Sequence, residues 1–187
     1  MNATVTVNFV VDVNAFIDAF EGKPVVETLA DLYTTMPLMA EIAATEGARL
    51  VDSDHILVIL QDKLVELLNY TEEQAYLAVE LIQSISQVTQ GTWVTRDDGQ
   101  AAANEITQVV NPRLIGEGKG QIDHEDQQVL GAAHYAQKHS ENDHARTMVV
   151  TRDGGLRNTS TDVLEKGIVV SNTPDALVVL TAMRRHH

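Results

Sequence analysis

The stretch "VNFVVDVNAFIDAF", Val7 to Phe20, sets one carboxylate, Asp12, directly behind an apolar run, with Asn14 two residues on and Asp18 beyond it. A short, continuous apolar run rich in β-branched residues reads as a strand buried on both faces, the habit of parallel sheets. With "TVTVNFVVDV" as that strand, Asp12 falls at its carboxyl end. In open α/β sheets this is the edge where ligands bind.

Outward from that strand, Ala15 to Ala44 is mostly helical in pattern, with Pro24 and Pro37 as breaks and helix starts. "ARLVDSDHILVILQDKLVELLNY" predicts a short strand at Arg49 to Val51 and an N-cap at Asp52 or Ser53. An amphipathic helix follows, with Ile56, Leu60, Leu64 and Leu67 on one stripe. Thr71 and Gln74 then have capping-box spacing ahead of another helix. From Gly91 to Gln121 the chain carries five of its 11 glycines and an Asn-Pro, and this segment is expected to be a loop insertion.

Beyond it, "DHEDQQVLGAAHYAQKH" opens acidic at a helix N-terminus, with Val129, Leu130, Ala133 and Ala136 as its apolar face. Thr147 to Thr151 is a strand, followed by Asp153 and two glycines. "GIVVSNTPDALVVL" is a last strand leading through Thr173-Pro174 into a closing helix. Strands alternating with helices predict one α/β domain over 1–187, a parallel-sheet α/β/α sandwich.

Composition narrows the chemistry. The 187 residues include no cysteine, which excludes disulfides and thiolate metal sites, so a bound metal must use oxygen or imidazole ligands. Hard cations such as Mg²⁺ and Mn²⁺ suit that donor set. No basic, apolar leader opens the chain, and no apolar run approaches the roughly 20 residues that span a bilayer. A cytoplasmic protein with no membrane partner is expected. Against 27 Asp and Glu stand 13 Lys and Arg, a formal charge of −14. Most of such a surface repels a polyanion, so a nucleic acid would need a local basic patch, metal ions among the carboxylates, or a second subunit. His186 and His187 read as the remains of a purification tag and are set aside.

Acids from three segments could meet at one sheet edge. Asp12 and Asp153 each lie within a residue or two of a strand's carboxyl end, and Asp123, Glu125 and Asp126 open the helix before the second of those strands. Carboxylates gathered within several Å raise each other's pKa unless a divalent cation neutralises them. Held there, octahedral Mg²⁺ or Mn²⁺ can activate a water and stabilise charge on a phosphodiester. Any one of these acids alone is an ordinary cap or surface charge; their joint placement carries the reading.

Other motifs weigh less. His55, His124, His134, His139 and His144 show no paired zinc spacing, and "GEGKGQ" lacks the Ser or Thr that follows the lysine of a P-loop. Arg152 and Arg157 flank Asp153 and are candidates for contact with a substrate phosphate, while Trp93 is expected to pack the loop. A phosphatase using Asp12 as nucleophile is disfavoured, because that chemistry pairs two aspartates as Asp-X-Asp and position 14 is Asn.

These motifs resemble, in order, those of the PIN-domain family. "VVDVNAFIDAF" is similar to its first motif, "DHEDQQVLGAA" to its third, and "MVVTRDGGLR" with "GIVVSNTPDAL" to its fourth motif and closing strand. The likeness runs from Val7 to Leu180. It implies a metal-dependent endoribonuclease whose acids bind Mg²⁺ or Mn²⁺ at the carboxyl end of a parallel sheet. Asp12, Asp126 and Asp153 fall on its metal-ligand and catalytic positions, with Asp123 as an additional candidate ligand. Asn14 falls on the residue supporting the first Asp, and Thr151 on the one shaping the last turn. Many members are toxins of toxin–antitoxin pairs and dimeric, which implies an antitoxin or other basic partner and a homodimer.

The chain departs from that pattern at one place. The family sets a Glu roughly six residues beyond a Ser, and from Ser53 that position is Ile59. Asp62, further along the same helix, is the candidate replacement. Two expectations follow: an Mg²⁺/Mn²⁺-dependent ribonuclease acting on RNA, or a catalytically weak PIN-like module that binds protein or RNA.

Overall fold

A computed structural model describes residues 5–140, 142 and 144–185; Thr4, at the head of the first expected strand, and His186 and His187 lie outside them. The fold is α/β: one five-stranded parallel sheet flanked by helices, a parallel α/β/α sandwich as the alternation of patterns predicts. The strands are β1 (Val7–Val11), β2 (Ala48–Ser53), β3 (Trp93–Val94), β4 (Arg146–Val150) and β5 (Ile168–Ser171). Their order is β3-β2-β1-β4-β5.

All five residues of β1 are buried, as a strand with a parallel neighbour on each side and helices over its faces requires. Phe9, Val10, Leu50, Leu130 and Val149 have no more than 1% exposure and form the centre of the core.

Among the described residues, ten helices connect and cover the strands. The chain leaves β1 directly into α1 (Val13–Phe20), and α2 (Leu29–Thr35) and α3 (Pro37–Ala44) precede β2. Pro37 starts α3 as expected, whereas Pro24 breaks the chain without starting a helix; α2 begins behind Thr28, whose hydroxyl accepts the Asp31 N–H. The second strand runs on to Ser53, so Asp52 belongs to β2 and Ser53 is the N-cap of α4 (Asp54–Leu68). On α4, Ile56, Leu57, Leu60 and Leu64 are buried; Leu67, placed on that stripe by spacing, is exposed. The capping box at Thr71 and Gln74 is present at the start of α5 (Glu72–Val88).

The expected loop insertion at 91–121 is corrected. Within it lie the short edge strand β3 and the 21-residue helix α6 (Arg96–Gly116), with only its last residues irregular. One of its glycines, Gly99, lies inside α6 at the crossing with the next helix. A Cβ on Gly131 of α7 (His124–Lys138) would come within 2.5 Å of the Gly99 carbonyl and 2.9 Å of Ala103 Cβ. Gly131 therefore marks a close helix crossing, with the Gly99 carbonyl as its nearest contact. Trp93 does not pack a loop: it pairs with Asp52 at the sheet edge and stays half exposed. The remaining helices are α8 (Gly154–Arg157) and α9 (Ser160–Leu164) after β4, and α10 (Thr173–Arg185) after β5.

Candidate metal centre

The strand order reverses beside β1: β2 and β3 extend the sheet one way, then β4 and β5 the other. Between β1 and β4 the crossovers therefore diverge and leave a crevice at the strands' carboxyl ends. The two strands run in register to Val11 and Val150, and the Asp12 N–H donates to the Val150 carbonyl at 2.9 Å. Asp12 is the first residue past β1, and Asp153 caps α8 three residues past β4. The crossover helix α7 brings Asp126 to the same edge, since it packs across β1, β2 and β4.

The side chains are held from behind. Thr151, fully buried, donates its hydroxyl proton to Asp12 Oδ2 at 2.8 Å, and the same hydroxyl oxygen accepts the Asp153 N–H at 2.9 Å. One residue thus ties the two acids together. Asp153 Oδ1 accepts the N–H groups of Gly155 and Leu156. Asp123 caps α7, accepting the Asp126 N–H at 2.8 Å. A Cβ on Gly155 would come within 2.8 Å of Asp153 Oδ1 and 2.9 Å of Asp126 Oδ2, so both carboxylates crowd one point that only a glycine leaves open.

Burial is the main cause that raises the Asp12 carboxyl above its ordinary pKa; the Thr151 hydroxyl and the Asn14 backbone N–H oppose it, and Asp153 adds to it. Asp126 is pushed up to about 7, first by burial and then by Asp123, Asp153, Asp12 and Glu125. The mutual repulsion expected of gathered carboxylates is therefore present.

Other expected residues divide. Asn14 supports Asp12 through its backbone. Arg152 pairs with Asp18 at 2.8 Å, and Arg157 Nε reaches the Asp153 carbonyl at 3.4 Å. Asp62 does not replace the missing Glu: it is exposed beside Gln61, Val65, Glu66 and Glu72, because its place on α4 turns it away from the acids. Lys63, not anticipated, faces them instead, with its Nζ 2.6 Å from Glu125 Oε2 and a favourable field at Asp12. It stands four residues past Ile59, one turn along the same face, and that spacing was the available signal. Asp52 was also missed as a titrating group. Burial pushes its carboxyl up to about 7, with Ser86 opposing, and Oδ2 has no hydrogen-bond partner.

The donor chemistry, all oxygen and crowded with negative charge, fits a hard divalent cation. The cradle opened by Gly155 is where Asp126 and Asp153 would share it. Among the described residues, no group of three or more His, Asp or Glu side chains stands together as a preformed ligand set. Mg²⁺ does not need one, because it is commonly bound through one or two carboxylates, with waters and substrate phosphates completing the octahedron.

No family model, curated protein or solved structure matches this chain.

Proposed function

We propose that this protein is a PIN-like endoribonuclease that hydrolyses RNA phosphodiesters with Mg²⁺ or Mn²⁺. The observation that carries this reading is the convergence of Asp12, Asp126 and Asp153 at the β1–β4 switch point. Bound there, a divalent cation supplies charge neutralisation and a lowered water pKa. The chain's own residues do the rest. Asp126 and Asp153, whose carboxylates flank Gly155, would hold the cation, with Asp12, oriented by Thr151, as the third acid. Arg157, whose Nε donates to the Asp153 carbonyl, approaches the phosphate.

The test is cleavage of single-stranded and structured RNA in Mn²⁺ by the parent, Asp126→Asn and Asp153→Asn. We expect each substitution to lower the rate by at least about 100-fold with little loss of stability. Unchanged cleavage in either variant would reject the assignment.

A second reading is favoured by Ile59, an apolar residue where the resembled pattern has an acid, and by the Lys63–Glu125 pair one turn further on. Under it the protein is a catalytically weak module that binds RNA or a basic protein such as an antitoxin, and the −14 charge suits the latter. Mn²⁺ calorimetry separates the two: saturable binding lost in an Asp126→Asn, Asp153→Asn double variant supports the nuclease, and no binding to the parent supports the module.

A further inference from the structure

Beside the acids lies a pocket of about 260 Å³ lined by Asp54, His55, Val58, Ile59 and Arg96. It joins the start of α4 to the start of α6, where the Arg96 N–H donates to Asp54 Oδ2 at 3.1 Å. It also reaches the start of α7, because His55 meets His124 edge to face with ring centroids 5.2 Å apart. His124 is two residues before Asp126, so one wall of the pocket touches the helix that carries the candidate metal site.

Three features of this pocket lack an internal explanation. Val58 is 59% exposed although it and Ile59 form an apolar wall. His55 Nε2 is buried without a hydrogen-bond partner. The Arg96 guanidinium makes no hydrogen bond or ion pair among the described residues. An apolar wall with a few convergent polar groups is how small planar ligands are held.

The charge of the molecule selects among such ligands. At −14, with carboxylates at the centre, the protein cannot gather RNA chiefly through its phosphates. The bases offer a contact that this charge does not oppose: their faces stack on aliphatic, imidazole or guanidinium surfaces, and only an unpaired base can be splayed into a side pocket.

We propose that the pocket of His55, Val58, Ile59 and Arg96 binds one nucleobase of single-stranded RNA next to the cleaved phosphate. This rests on the nuclease reading and adds a preference for unpaired substrate. Val58 and Ile59 lie against the base, Arg96 covers it or holds its phosphate, and the His55 ring lines its edge.

The experiment is NMR of the histidine rings in the full chain, without divalent metal. The probes are nucleosides, nucleoside 5′-monophosphates and, separately, inorganic phosphate. Nucleosides should shift the His55 and His124 resonances and leave His139 unmoved. The exposed substitution Val58→Glu should weaken that titration about tenfold or more, the loss of one stacking contact. Arg96→Gln should weaken the monophosphates more than the nucleosides.

Absence of a nucleoside response at His55, or an equal response to inorganic phosphate alone, would overturn the pocket as a base site. Asp126→Asn should retain the nucleoside response while losing Mn²⁺-dependent cleavage. The two readings therefore fail separately. A parent that cuts RNA without a His55 response sinks only the pocket, and one that shows the response yet leaves RNA intact sinks the nuclease.

Discussion

Thr151 shows how much one side chain can organise. Its hydroxyl donates to Asp12 and accepts from the Asp153 backbone, so it sets the orientation of one acid and the turn that presents the other. Thr151→Val preserves the shape but leaves a buried carboxylate oxygen without its donor. We expect a loss of about 1–3 kcal/mol in stability at pH 8, measured by urea denaturation, and a smaller loss as acid protonates the Asp12 carboxyl, whose pKa burial raises.

Asp126, raised to about 7, holds a proton that competes with a cation below that pH. Apparent Mn²⁺ affinity should therefore rise with pH by at most about tenfold per unit and level off above about pH 7, read by calorimetry. A flat profile would mean that Asp126 is not a ligand.

Asp52 is raised by burial without neighbouring carboxylates, with only the Ser86 side chain opposing. Its folded pKa, about 7, lies above its unfolded value of 3.8, so the folded state binds the proton more tightly. The stability this confers is complete below about pH 4 and is lost as pH rises to about 7. Asp52→Asn should remove that slope and leave the variant more stable than the parent at pH 8, by on the order of 2–4 kcal/mol. Parallel pH profiles for the two proteins would refute it.

Among the elements, the α6–α7 pair decides whether Asp126 reaches the site, because α7 is wedged between α6 and the sheet. The Gly99–Gly131 contact sets their spacing, and Gly131→Ala would force the helices apart. Overpacking of this kind costs about 1–3 kcal/mol, and here it should also weaken Mn²⁺ binding by shifting Asp126. An alanine variant with parental melting and parental Mn²⁺ affinity would show that the crossing adapts freely.

The same pair explains where reading by pattern failed. β1, α4, α5 and α7 declared themselves through apolar periodicity and caps, which are local. Helix α6 combines glycines, an interior Pro112 and a weakly amphipathic face, which masked its local helix signals, the Thr95 cap with Asp97 and Asp98 in the first turn. Only its packing on α7 reveals that the Gly99 backbone lies against Gly131.

At the scale of the whole molecule, charge and topology govern together. A −14 protein that holds RNA through bases should show a shallow salt dependence in the absence of divalent ions, with a slope matching about one phosphate contact. A steep slope in a filter-binding or anisotropy titration would point instead to a basic phosphate track. Across the described residues, no helix is long and apolar enough to cross a membrane.

The residues alone established the α/β class, the parallel strands and the presence of Asp12, Asp123, Asp126 and Asp153 near strand and helix ends, because burial periodicity and capping act over a few neighbouring positions. Which acids meet, and which merely lie near a helix start, depends on strand order. The placement of β4 beside β1 joins residues more than 130 positions apart through one threonine hydroxyl. The orientation of Lys63 rather than Asp62 toward the acids was decided in the same way, by how α4 docks on its neighbours. Helical spacing specifies a face, but only tertiary packing chooses what that face meets.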